Sequence, residues 1–512
     1  MNTWSSTASL RPATVLSYEK VLLWTAGLLY VAIAAGAMLH HVPWGDEIHR
    51  WNIAKGSASY ADVIYNSRFE GHPPTWYTIM WIISRFTHNF LYVQVVHLVI
   101  ASATVFLLLF YSPLPLLSRL LIPFGYYFLF EFAVLTRNYA IGVLLVFCIC
   151  GLLRQQFKYK AILYYALLLL LSNGHLFALL LAGSLHLYYL WWNYEQYKST
   201  KGLAGHMVAG LLVLLPSLYF IFPPSGGALA VPFWLDRWNA SNIITTIQSP
   251  IRSMIPVPAW WEAHWWNTEF LMQWQAHHTW LKYVTPFLAA AIVVLMVSLL
   301  WKSRKSLLLF GANLLATALV SIVVFPLGCA RYAGLIFIGF LAAWWLYCYE
   351  YRTSRWQQRL FNVLLVVQIV ATAIALSSEW NKPFSNFNRV GGLIAKAPAG
   401  EKLVCDYWGL NAVAAFTDRP LYCIDLQREV NFLLWDEHMA RLMKLPHRYA
   451  DGAAQLFQQG LDGFWMISSG SPAELAKVDD LFQQTYNVAL TDSVGGAIEK
   501  GGNVYLYRVE KH

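Results

Sequence analysis

The chain has 512 residues, of which 58% are hydrophobic and 12% charged, with 24 Trp and a formal net charge of +9. A mean hydropathy of +0.45 is more apolar surface than one soluble core can bury, which excludes a soluble globular enzyme. The basic excess forms no stripe interleaved with exposed aromatics, so the expected partner is the lipid bilayer and not nucleic acid.

Charge divides the chain in two. Sixteen of the 27 acids lie from Glu379 onward, against thirteen Lys and Arg, as in a water-soluble domain. The other acids are Glu19, Asp46, Glu47, Asp62, Glu70, Glu131, Glu195, Asp236, Glu262, Glu269 and Glu350, none in the middle of an apolar run. The expected fold is mainly α: a polytopic helical membrane protein over 1–380, with about 11–13 spans, and a soluble α/β domain over 381–512.

Val21 to Leu39 is followed by His40-His41-Val42-Pro43-Trp44 and not by a small-residue cleavage site, so it reads as a retained first span. Arg11 and Lys20 would hold the N-terminus in the cytoplasm. Next comes a loop, 40–74, that carries adjacent Asp46 and Glu47. Acids beside a membrane span are costly unless they face water or a reacting ligand. The loop ends at Glu70-Gly71-His72-Pro73-Pro74, where the prolines pre-set the first turn of the next apolar helix.

Further apolar runs occupy 75–87, 90–111, 114–130, 138–152, 161–172, 176–193, 206–222, 283–301, 306–325, 333–349 and 360–377. Basic clusters at Arg154, Lys158 and Lys160, at Lys198 and Lys201, at Lys302, Arg304 and Lys305, and at Arg352, Arg355 and Arg359 mark cytoplasmic loops. Alternation then puts Glu131–Arg137, Asn173–His175, Pro223–Lys282, Phe325–Arg331 and everything after Ser377 on the other side. With Arg11 also cytoplasmic, one early run must fail to cross. The short 75–87 run, ending near Arg85, is the expected re-entrant or interfacial helix.

The long external loop 223–282 holds Trp234, Trp238, Trp260, Trp261, Trp265, Trp266, Trp274 and Trp280, residues suited to an interfacial belt or a sugar platform. Asn239-Ala-Ser241 fits a glycosylation triplet, a frequent pattern. In the tail, strands are expected at Lys402–Asp406, Pro420–Asp425, Gly463–Ser468 and Asn503–Val509. Helices are expected at Asn411–Phe416, Asn431–Leu442 and Pro472–Phe482. In an oxidising compartment, Cys405 and Cys423 are a candidate disulfide.

The polar groups on the external side are Asp46, Glu47, Arg68, Glu70, His72, Glu131, Arg137, Tyr139, His175, Arg331 and Tyr332. A carboxylate that takes a hydroxyl proton, beside Arg and His that neutralise an anionic leaving group, is what displacement of a phosphate from a sugar requires. Phosphate leaves as a stable anion, so no general acid is needed, unlike the carboxylate pair of glycosidases.

Asp46-Glu47 in a first external loop, followed by His72-Pro73-Pro74, resembles the GT-C superfamily of polyprenyl-phosphate-sugar glycosyltransferases. The resemblance is to the bacterial branch related to protein O-mannosyltransferases and the lipid A aminoarabinose transferase. Arg137-Asn-Tyr139 resembles that branch's Glu-x-Arg-x-Tyr-Ala segment, although Glu131 is too far from Arg137 for its spacing. Ser172-Asn-Gly-His175 and Ala330-Arg331-Tyr332 resemble its later segments, within roughly 20–350 in all.

The resemblance implies Asp46 as catalytic base, with Glu47, Arg68, Glu70, His72, Arg137, Tyr139, His175, Arg331 and Tyr332 binding donor or phosphate. It also implies an undecaprenyl-phosphate-linked sugar as donor, inversion at the anomeric carbon, and an inner-membrane enzyme with a periplasmic site. No cofactor is required and no metal-ligand spacing stands out, although a divalent ion bridging Glu47 and the phosphate is compatible with this site.

Each residue also has a structural alternative. Asp46 and Glu47 would cap a helix from Ile48, Arg137 and Arg331 would snorkel, and His72 would be a satisfied polar group at a membrane edge. His175 would satisfy backbone at its turn, and Arg68 and Glu70 would form a local ion pair. A lipid-linked sugar flippase, usually built from internal repeats, and an oligosaccharide ligase are the alternative functions.

Overall fold

The computed structural model describes residues 13–197, 200–227, 239–324, 327–398, 400–417 and 420–512. Arg11, Lys198, Trp234, Asp236, Trp238 and Phe325, used above, lie outside them. The chain is a multi-pass helical membrane protein with a C-terminal α/β domain.

Helix α1 (Ala13–His40) leads into three short helices, α2 (Gly45–Gly56), α3 (Tyr60–Phe69) and α4 (Thr75–Ser84). Then come α5 (Leu91–Tyr111), α6 (Leu116–Leu121), α7 (Tyr139–Arg154), α8 (Lys160–Ser172), α9 (Leu176–Tyr197) and α10 (Thr200–Ile221). The membrane part ends with α11 (Ala240–Met254), α12 (Phe270–His277), α13 (Leu281–Leu300), α14 (Arg304–Val323), α15 (Ala330–Glu350) and α16 (Arg355–Asn381).

Among the described residues, 7 helices are long and apolar enough to cross a membrane: α1, α5, α10, α13, α14, α15 and α16. The other apolar runs are shorter or broken, apart from the 22-residue α9. Helices α7 and α8 have 16 and 13 residues. The 114–130 run divides into α6, a 3-10 turn at Ile122–Phe124 and a π-helical turn at Tyr127–Glu131, because Pro123 has no N–H to continue an α ladder. The 75–87 run forms only α4, about 15 Å long at 1.5 Å per residue, half the hydrocarbon thickness.

One helix is apolar on all faces for a reason. In α15, 89% of the spanning window is buried inside the protein, against 17–44% in the other six. It runs through the centre of the bundle and carries Arg331 and Tyr332 at its N-terminal end.

The C-terminal domain contains α17 (Val390–Ile394), β1 (Leu403–Cys405), α18 (Tyr407–Ala414), β2 (Leu421–Cys423), β3 (Arg428–Val430) and α19 (Glu437–Leu442). It continues with α20 (Arg448–Gln458), β4 (Gly463–Ser468), α21 (Pro472–Val478), α22 (Asp480–Thr485), β5 (Tyr486–Val494) and β6 (Val504–Lys511). The sheet order is β3-β2-β1-β4-β6-β5, with β2, β1 and β4 parallel and the other pairings antiparallel.

Three expectations need correction. The helix expected at Asn431–Leu442 begins only at Glu437, capped by Asp436 accepting from Met439 N at 2.7 Å. The helix at Pro472–Phe482 breaks at Asp479, which caps α22 through Phe482 N. Cys405 and Cys423 are free, buried thiols standing opposite each other in the β1–β2 register.

Candidate functional site

Helix α2 is the element that builds the site. It packs on α4 on one side and on α18 of the C-terminal domain on another, held to α18 by Asn52 Nδ2 donating to Asn411 O (3.1 Å) and Lys55 Nζ to Ala414 O (2.8 Å). Its two neighbouring acids point different ways, because successive helical residues are about 100° apart.

Glu47 turns into the protein, where its side chain is fully buried. It accepts from Trp44 N (3.1 Å), closing half a capping box. It also accepts from Thr136 N, and pairs with His41 Nε2 at 2.9 Å. His41 Nδ1 in turn meets Glu379 at 2.5 Å. Both Glu47 oxygens are thus engaged within the protein, where they hold the loop.

Asp46 turns the other way, its side chain 39% exposed into a cavity of about 170 Å³. Arg137 Nη1 donates to its Oδ2 at 2.5 Å and Arg331 Nη2 at 3.3 Å. Arg50, one helical turn along α2, donates to the Asp46 carbonyl (2.8 Å) and to His72 Nε2 (2.7 Å). Burial alone would raise the pKa of Asp46, but the field of Arg137, Arg331 and Arg50 outweighs it and holds the carboxyl well below its usual range.

Arg137 sits on a buried irregular stretch between the π-helical turn and α7. His97 of α5 pins that stretch, contacting Ala133 O at 3.2 Å and Arg137 O at 3.1 Å. Trp44 and Trp266 meet edge to face, 4.8 Å apart; the Trp44 ring lies 5.7 Å from both guanidiniums and the Trp266 ring 5.6 Å from that of Arg331. Trp265 and Trp266 are therefore buried parts of the site region, whereas Trp260, Trp261, Trp274 and Trp280 are exposed as an interfacial belt would be.

Gly71 places His72. With φ +64 it takes a left-handed turn, and a Cβ there would stand 3.3 Å from Ile221 O. Burial, then the neighbouring Arg50 and Arg137, push the His72 pKa well below its ordinary value. His175 is pushed down to about 3 by burial and the same arginines. In both, the surroundings disfavour the charged imidazolium. His175 Nδ1 accepts from Ala178 N (3.1 Å), while its Nε2 is buried without a hydrogen-bond partner.

The cavity lining thus unites Asp46, Glu70, His72, Arg137, Tyr139, His175, Arg331 and Tyr332. Arg68 is not in it: it donates to Tyr219 O and OH at 3.2 and 2.9 Å and lies over that ring, against α10. Glu70 is in it, and pairs with His49 at 2.8 Å. Glu131 is buried against Tyr126. Arg50 and Trp435 are lining residues that the sequence argument missed. Arg50 had a signal, since i and i+4 share a helix face; Trp435, from the C-terminal domain, had none.

Three guanidiniums, Arg50, Arg137 and Arg331, face two carboxylates, Asp46 and Glu70. The Nε–H of each arginine is buried without a hydrogen-bond partner. These donors find no acceptor among the protein's own groups, and a buried unpaired donor costs about 1–3 kcal/mol. A larger depression of about 770 Å³ opens at the opposite end of the bundle, where Arg119 pairs with Glu19 and its Nε–H is also without a hydrogen-bond partner.

Among the described residues the one cluster with metal-ligand proximity is His447, Asp479 and Asp480, outside both the Asp46 cavity and the bundle. Asp479 is occupied there by the backbone N–H groups of Tyr449, Ala450 and Phe482. Asn239 of the glycosylation triplet caps α11 through Asn242 N. Comparison of the chain with protein-family models, curated proteins and solved structures finds no match.

Proposed function

We propose that the protein is an integral-membrane glycosyltransferase that moves a sugar from a polyprenyl-phosphate donor to an extracytoplasmic lipid, glycan or protein acceptor. The observation that carries this reading is the convergence of Arg50, Arg137 and Arg331 on Asp46 in one buried cavity at an end of the bundle. The basic loops support a bacterial inner-membrane protein with a cytoplasmic N-terminus and a periplasmic site.

In this mechanism the acceptor hydroxyl attacks the anomeric carbon from the side opposite the phosphate. The new C–O bond forms as the bond to phosphate breaks, with inversion, and the hydroxyl proton passes to the Asp46 carboxylate. Polyprenyl phosphate leaves with both electrons of that bond, its charge met by Arg137 and Arg331. When the donor phosphate takes up these guanidiniums, Asp46 loses part of the field that makes it a weak base. Donor binding therefore switches the base on.

The test is transfer of radiolabelled sugar from polyprenyl phosphate to envelope extracts by the purified protein. Incorporation into product with the opposite anomeric configuration supports the reading. Movement of donor between leaflets without incorporation makes the protein a flippase.

A further inference from the structure

A second cavity, of about 460 Å³, lies between the Asp46 loop and the C-terminal domain. Its position follows from the sheet. The chain leaves β1 through α18 to reach β2 on one side, and later returns to β4 on the other side of β1. Strand order reverses between β1 and β4, and open α/β sheets bind ligands in the crevice at the carboxyl ends of such strands.

The residues at those two ends, Asp406 after β1 and Ser469-Gly470 after β4, line the cavity, and Asp46 lines it from the membrane side. Asp406 is fixed there by Gly409 N (2.6 Å) and Ser468 Oγ (2.5 Å). Gly409 allows this approach, since a Cβ would stand 2.7 Å from both Asp406 Oδ1 and Ile467 O. Tyr407 also lines the cavity, and its hydroxyl is buried without a hydrogen-bond partner.

The wall chemistry is the reverse of the arginine cavity. Tyr407, Trp408 and Trp435 supply aromatic faces, and the acids Asp46, Asp406, Glu474 and Glu499 outnumber Lys500 and His49. Burial pushes Asp406 and Glu499 up to about 7, so these walls carry little cationic charge for a phosphate, offer oxygens to sugar hydroxyls and cover the C–H faces of sugar rings. The volume is that of a small-molecule site.

We propose that this switch-point cavity binds the acceptor as a neutral saccharide, so that Asp46, shared by both cavities, stands between an outer saccharide and an inner phosphate. The term acceptor rests on the glycosyltransferase reading; the saccharide site itself does not. A phosphorylated or otherwise anionic acceptor is disfavoured by the same walls.

The experiment uses the full chain in nanodiscs and measures binding of lactose, cellobiose and chitobiose, with glucose 6-phosphate as anionic control and undecaprenyl phosphate as a probe of the inner cavity. Trp408 is 55% exposed, so Trp408→Ala removes a wall without emptying a core. At least one neutral disaccharide should bind, about tenfold more weakly to Trp408→Ala. Undecaprenyl phosphate binding should not change in this variant. Absence of neutral disaccharide binding, indifference to Trp408→Ala, or preference for glucose 6-phosphate overturns the proposal. Saccharide binding without undecaprenyl phosphate binding sustains the site and overturns the donor reading instead.

Discussion

Replacing Glu47 with Gln separates a residue that holds the loop from one that touches a ligand. The Glu47 carboxylate is fully buried and accepts from Trp44 N, Thr136 N and His41. A Gln amide offers one acceptor oxygen instead of two, so one of these donors faces an N–H. Breaking a buried pair by removing one partner costs about 3–5 kcal/mol.

The pH dependence gives a second measure. Burial alone would lower the His41 pKa, but Glu47 and Glu379 outweigh it and raise it from 6.5 to about 10. The folded pKa exceeds the unfolded one, so the linked stability is fully present below pH 6.5 and is lost as pH rises through about 10. Its ceiling is about 5 kcal/mol, at 1.36 kcal/mol per pKa unit. The assay is the apparent unfolding temperature of detergent-purified protein at pH 6.5 and 9.5, at one scan rate because unfolding of large proteins is often irreversible. Wild type should lose stability across this interval. Glu47→Gln should unfold several degrees lower at pH 6.5, with a flatter pH dependence. A Glu47→Gln protein with wild-type unfolding at both pH values and no transfer would make Glu47 a ligand contact.

Two further substitutions address the cavity. Arg137→Gln removes a charge-assisted partner of about 1.5–3 kcal/mol, so undecaprenyl phosphate should bind roughly 10- to 150-fold more weakly. It also removes a cation that lowers the Asp46 pKa, so the acid limb of the pH–kcat/KM profile should move to higher pH; an unmoved limb would show that Arg137 does not act on the base. Arg68→Ala, which disturbs only the contact with Tyr219, should leave transfer within about twofold, surface changes being small; a loss beyond tenfold would place Arg68 in the site.

Much of the site was legible because span ends, read from hydropathy and basic loops, bring distant short segments to one face. That logic joined Asp46, His72, Arg137, His175 and Arg331. It could not separate Asp46 from Glu47, which requires knowing how α2 is rotated, nor see that Arg68 leans on α10. The 448–458 helix was missed although it buries Tyr449, Ala450, Ala453, Leu456 and Phe457 on one face, and the largely exposed β5 strand was missed too. So was Trp435, whose place depends on the docking of the C-terminal domain on α2. The lowered pKa of His72 and His175 comes from burial beside arginines, a tertiary property with no local sequence signal.

Comparing wild type with Asp46→Asn in sugar transfer from undecaprenyl phosphate, alongside undecaprenyl phosphate binding, is the decisive measurement. Asn keeps the shape and removes the base, so transfer should fall by about 10²–10⁴-fold while the lipid phosphate still binds, since the arginines remain. Transfer at the wild-type rate by Asp46→Asn would remove Asp46 as the base and leave the arginine cavity as a phosphate-binding site alone.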